Sequence, residues 1–163
     1  MMSAHLTENS TWCTGSGDSI SLKESMKIMS KHAQSGGKIF IGTDSCLSGD
    51  RFVFATAICV HGANNQSGGK YFFKRGTVLN QKIPTLFHRI SQEVQNTIET
   101  ALYVESKIPN AEIEIHLDIG TNPIGKTWKF VDSLTGYARS TGMPVKIKPY
   151  AWASASIADK HSK

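Results

Sequence analysis

Four acidic residues stand out by where they fall: Asp44, Glu93, Asp118 and Asp159. Asp44 closes the apolar run Ile39-Phe-Ile-Gly-Thr-Asp44, and Asp118 falls near the end of the alternating run Glu112–Ile119. Carboxylates brought together repel one another unless a cation lies among them. Hard oxygen ligands of this kind suit Mg²⁺ or Mn²⁺. Such ions activate water and stabilise the leaving oxygen of an in-line phosphoryl displacement. A lone Asp at a strand end is more often a turn-former, so the reading depends on all four acids falling at compatible places. His161, two residues past Asp159, is a candidate for assisting proton transfer or product departure, although a surface histidine near a chain end is more often idle. His116 shares a strand face with Asp118 and reads as structural.

The elements that must position these acids follow from periodicity. Ser21-Leu-Lys-Glu24 is a capping box opening a helix whose Leu22, Met26, Met29 and Ala33 share a face, with Gly36-Gly37 as the stop. Strands are expected over Lys38–Ser45, Arg51–His61 and Gly69–Val78, with short connections that favour an antiparallel meander. From Pro84 a long helix carries Leu86, Ile90, Val94, Ile98 and Leu102 at every fourth position, with Ala101 on the same stripe. At roughly 100° per residue, Glu93 lies about 100° from the centre of that stripe and Glu99 about 140°, so Glu93 flanks the buried face and is preferred. A strand over Glu112–Ile119, a helix over Lys126–Ser140 built on Trp128, Val131, Leu134 and Ala138, a strand over Val145–Pro149 and a small-residue helix over Ala153–Lys163 complete an α/β pattern. Its β-α-β-α-β ending favours parallel neighbours. If the strands holding Asp44 and Asp118 pair in parallel, the two carboxylates meet at the strand edge where open α/β sheets place their sites. Residues 1–18 are polar and expected as a loose arm before one domain over 19–163.

The net charge of +5 is unevenly placed: residues 121–163 carry Lys126, Lys129, Arg139, Lys146, Lys148, Lys160 and Lys163 against Asp132 and Asp159. A basic region is the footprint of a polyanion binder. Cys13, Cys46 and Cys59 lack CxxC spacing and read as free thiols of a cytoplasmic protein. The N-terminus does not have the pattern of a secretory signal, and no apolar run has the length of a membrane span.

Gly120-Thr-Asn-Pro-Ile-Gly125-Lys126-Thr127 fits the P-loop pattern between a strand and a helix, which makes a nucleotide-binding protein or nucleotidase the rival reading. Against it, no apolar run ending in Asp follows the motif. The same loop serves a nucleic-acid reading, with Gly125, Lys126 and Lys160 contacting phosphate. Tyr150 and Trp152 are candidates for stacking on bases, while Trp128 is expected in the core.

The segments Ile39–Leu47 (IFIGTDSCL), FATAICV, HLDIG, GKT and KIKPYAWASASIADKHSK together resemble the YkuK-type ribonuclease H-like family over residues 20–163, with GTDS and ADKHSK the most specific pieces. The resemblance implies a mixed five-stranded sheet flanked by helices. It also implies, by position, that Asp44 is the first acid, Glu93 the helix acid, Asp118 the strand acid and Asp159 the last-helix acid of a metal-dependent nuclease acting on RNA, DNA or a hybrid. A module that keeps the fold and binds nucleic acid without cutting it is the other alternative.

Overall fold

The computed structural model describes residues 6–65 and 68–163. Its centre is the antiparallel meander of β3 (Lys38–Ser48), β4 (Arg51–His61) and β5 (Gly69–Leu79). In the connection between β4 and β5, Gln66 and Ser67 of the expected polar turn lie outside the described residues. Strand β3 also pairs in parallel with β6 (Ile113–His116), which pairs in parallel with β7 (Val145–Lys146).

Among the described residues the sheet has seven strands and not the five expected: with β1 (Thr11–Thr14) and β2 (Ser19–Ser21) the order is β2-β1-β5-β4-β3-β6-β7. This additional pair is added to the free edge of β5. Part of the segment expected as a loose arm is therefore sheet. Its anchor is Trp12, which is 1% exposed within the main core. One buried indole holds a strand whose other residues are small and polar.

Helix α1 (Leu22–Gln34) opens on the Ser21 cap, whose side chain accepts the Glu24 N–H at 3.1 Å. Helix α2 (Leu86–Lys107) opens on Thr85. Ile90, Val94, Ile98, Ala101 and Val104 of α2 enter the main core, whereas Leu86 and Leu102 are exposed. A step of four residues turns about 400°, so a stripe of every-fourth residues drifts about 40° per step and its ends leave the core. Both helices pack into the core formed with Ile39, Ile41, Ile58, Val60, Phe72, Ile113 and Ile115.

Helix α3 spans Val131–Arg139 and is shorter than the expected Lys126–Ser140. Residues 120–127 form a loop and Trp128–Phe130 one tight turn. Trp128 is 47% exposed, against the core position expected for it. Phe130 makes the anchoring contact instead, its ring 5.0 Å from that of Phe87.

The opposite face of the sheet is covered by a π-helical segment, Ala153–Ala158, running into the short α4 (Asp159–Ser162). Close packing requires small residues here: Ala153 and Ala158 pack on Ala57 and Cys59. A Cβ on Gly42 would lie 2.6 Å from the Ser154 main-chain nitrogen. Gly42 thus lets the last segment lie directly on β3, two residues from Asp44.

Candidate acidic site

The parallel register of β3 and β6 sets Gly42 opposite His116. Continued by two residues, it brings Asp118 level with Asp44, both on the face covered by the last segment. Asp159 projects from that segment, and its carboxyl lies within hydrogen-bonding reach of Asp44. Ser162 Oγ donates to Asp44 Oδ2 at 3.2 Å. Burial, the shared contact with Asp159 and the charge of Asp118 together push the Asp44 carboxyl up to about 7. A buried carboxyl set against a second one resists ionising, so Asp44 holds its proton to higher pH than an exposed aspartate.

Glu93 reaches the same end of the sheet from α2, on the opposite face. Ser45 Oγ donates to Glu93 Oε1 at 3.0 Å. Arg89, one turn earlier on α2, holds Ser45 through Nε to Oγ at 2.7 Å and Nη2 to the carbonyl at 2.6 Å. A hydroxyl ladder fixes the helix beside this point: Thr97 Oγ1 donates to Thr43 Oγ1 at 2.8 Å, and Thr43 pairs with Thr56 at 3.0 Å. Burial, then the charge of Asp44, raises Glu93 well above the ordinary glutamate range, with Ser45 and Arg89 pulling the other way. Glu99 points elsewhere: its Oε1 accepts from Gln95 at 2.9 Å, and its Oε2 is buried without a hydrogen bond.

Two of the acids carry lysines. Lys148 Nζ is 3.1 Å from Asp118 Oδ1, and Lys163 Nζ is 3.1 Å from Asp159 Oδ2. The donor set, all carboxylate oxygen, has the chemistry that Mg²⁺ or Mn²⁺ prefers. Even so, among the described residues no group of three or more His, Cys, Asp or Glu is gathered as a metal cluster. The acids share one end of the sheet, with lysine ammoniums lying against two of them.

The structure does not bring His161 to the acids. Its ring stacks on Phe73 at 3.6 Å, its Nε2 is 2.9 Å from the Tyr71 hydroxyl, and burial lowers its pKa. Lys160 is exposed, with its ammonium 5.8 Å from the Tyr71 ring centre. His116 is wholly buried: Nδ1 accepts the Ala153 N–H at 3.0 Å, so Nε2 carries the proton toward Glu114 Oε1 at 2.9 Å. Burial holds His116 below the usual histidine range. It ties β6 to the last segment and so sets Asp159 against Asp44. Trp152 packs on His116 and Phe40, and Tyr150 is 70% exposed.

The loop 120–127 keeps Gly125 and Lys126 exposed. It spends its own donors internally: Gly120 N–H on Thr127 Oγ1 at 3.2 Å, Ile124 N–H on Asn122 Oδ1 at 3.0 Å and Gly125 N–H on the Asn122 carbonyl at 2.8 Å. A phosphate-cradling loop aims such N–H groups at the ligand and runs directly into a helix. Here α3 begins only at Val131, and the nucleotide reading gains no support.

The family profile described as ribonuclease H-like matches residues 21–163. The chain belongs to the ribonuclease H-like family. It is also similar to the protein YkuK of Bacillus subtilis (strain 168), described as uncharacterized, at 29% identity over 151 residues, 83% of this chain and 85% of that protein. No solved structure matches it. Membership supports a nuclease-like or nucleic-acid-binding module. No helix among the described residues is long and apolar enough to cross a membrane.

Arg89, Ser45, Ser162 and Lys148 were not singled out from the sequence. Arg89 and Glu93 stand four apart on one helix, a spacing that places side chains side by side. Ser45 adjoins Asp44 and gave no periodic signal.

Proposed function

We propose that this ribonuclease H-like chain is a divalent-metal-dependent nuclease that hydrolyses phosphodiester bonds in nucleic acid. The reading rests on one observation: buried Asp44 contacts Asp159 and lies near enough to Asp118 to feel its charge, so three carboxylates share one end of the sheet. Asp44, Asp118 and Asp159 would hold Mg²⁺ or Mn²⁺, with Glu93 completing the set from the opposite face. The ion, when bound, supplies a water of lowered pKa and positive charge at the phosphate. Ser162 orients Asp44 through Oδ2, and the Arg89–Ser45 pair orients Glu93 through Oε1. Burial raises Glu93 above the ordinary glutamate range, which makes it a readier proton acceptor than an exposed glutamate. Exposed Lys126 and Lys160 would contact the substrate backbone.

The test is cleavage of labelled single-stranded, duplex, hybrid and branched nucleic acids with Mg²⁺ or Mn²⁺. Cutting is expected to stop with chelator and with Asp44→Asn. Binding without cutting across the whole panel at every metal concentration would establish the non-catalytic module instead, a reading favoured by the lysines paired with Asp118 and Asp159.

A further inference from the structure

We propose that Lys148 stands where a second metal ion would otherwise lie, so that the acidic site takes a single divalent cation and Lys148 contacts the substrate phosphate. This rests on the metal-dependent reading above and specifies how that site is built.

The main chain places Lys148 against Asp118. Leu117 N–H donates to the Lys146 carbonyl at 2.9 Å, and Lys148 N–H donates to the Ile119 carbonyl at 3.0 Å. The two bonds bracket Asp118 on one chain segment and Ile147 on the other, so Lys148 is tied at Ile119, one residue beyond Asp118, with its side chain in reach of that carboxylate. The lysine stem crosses the chain at Gly120, where a Cβ would come 3.7 Å from Lys148 Cδ. Its ammonium ends 3.1 Å from Asp118 Oδ1. That oxygen is buried and accepts no hydrogen bond, because the ammonium meets it outside hydrogen-bonding geometry. Lys148 is thus the cation the described structure gives to Oδ1. The lysine side chain is itself 48% exposed and reachable by a phosphate arriving from solvent.

Charge balance points the same way. Glu93 has Arg89 beside it, Asp118 has Lys148 and Asp159 has Lys163. With all four acids ionised, one negative charge is left over, on Asp44. One divalent ion together with one phosphodiester anion brings the group to neutrality. A second ion would leave it doubly positive, in a place where burial makes unbalanced charge costly. An ammonium is also a compact point charge suited to a phosphate oxygen.

The experiment counts Mn²⁺ bound to the full chain, by calorimetry and by the electron paramagnetic resonance of free Mn²⁺, without any substrate. Wild type is expected to bind one ion. Lys148→Met keeps the apolar stem and removes the charge; it is expected to bind a second ion or to bind the first at least several-fold tighter. Lys148→Arg keeps the charge and is expected to match wild type, which separates loss of charge from loss of fold. Two ions in wild type, or one ion at unchanged affinity in Lys148→Met, overturns the assignment of Lys148 while leaving a metal site. No bound Mn²⁺ in any of the three proteins overturns the metal-dependent reading and this inference with it.

Discussion

Replacing Asp44 with Asn should make the metal-free protein more stable at pH 8 and change little below about pH 4. Asp44 is 8% exposed, and its carboxyl is raised from 3.8 to about 7 by burial, by contact with Asp159 and by the charge of Asp118. For a carboxyl raised in the folded state, the stabilising condition is the protonated one. Its contribution is fully present below the unfolded value near 3.8 and is lost as pH climbs through about 7. At about 1.4 kcal/mol per pH unit, ionising Asp44 in the folded chain costs at most about 4 kcal/mol, and relaxation of its surroundings reduces that. Asn keeps an oxygen for the Ser162 hydroxyl and offers Asp159 a donor in place of a second carboxylate. A gain of about 1–2 kcal/mol at pH 8 is therefore expected, shrinking toward zero only below about pH 4. Urea unfolding in chelator, repeated at intervals from about pH 4 to 8.5, measures it. Added Mg²⁺ should stabilise wild type more than the variant, since a ligand stabilises only through its affinity for the folded state. Parallel stability-versus-pH curves for the two proteins would falsify the account and leave Asp44 as a buried polar residue of β3 with no special charge.

Two further outcomes are expected. Gly42→Ala forces a Cβ to within 2.6 Å of the Ser154 nitrogen, so the last segment must shift, at a cost of about 1–3 kcal/mol. Amide exchange should quicken over 153–162 while the β3–β5 amides stay protected, and uniform protection in the variant would contradict the packing argument. Lys126→Ala, in the exposed loop after Gly125, should weaken nucleic-acid binding and make its salt dependence shallower by about one unit of slope. An unchanged slope in fluorescence anisotropy titrations at several salt concentrations removes Lys126 from the interface.

Much of the fold was legible because its elements carry strong local signals. The Ser21 cap and the Met26–Met29 face define α1, and the turn-bounded run Arg51–His61 is found as β4 with those bounds. The strict alternation around Ile113 and Ile115 marks β6, which sets Asp118 beside Asp44 once the register is parallel. Strand β1 was missed because four residues give no periodicity, and its one signal, Trp12, acts through burial that only the folded chain shows. Trp128 misled for the opposite reason: it fell on an apolar helical stripe, but the Thr127–Gly120 bond keeps that stretch in the loop and leaves Phe130 to anchor it. The positions of the acids along the chain were readable. Their partners were not, since Ser162 meets Asp44 and Arg89 meets Ser45 across separations of 118 and 44 residues. Sequence spacing carries no information at that range.

Those separations also dictate an order of assembly. The β3–β5 meander forms from neighbouring chain, whereas Asp159 and Ser162 must close a loop of more than a hundred residues before they reach Asp44. Loop closure of that length is slow compared with hairpin formation. The sheet is therefore expected to exist first with its acids apart and only afterwards to acquire its clustered charge, when Ala153–Ala158 settles on Gly42. Pulsed hydrogen exchange during refolding should protect β3–β5 before residues 153–162, and simultaneous protection would speak against it. On the nuclease reading, a chain that matures in this sequence would be inert toward nucleic acid while it folds, and local release of the last segment would return it to that state without melting the sheet.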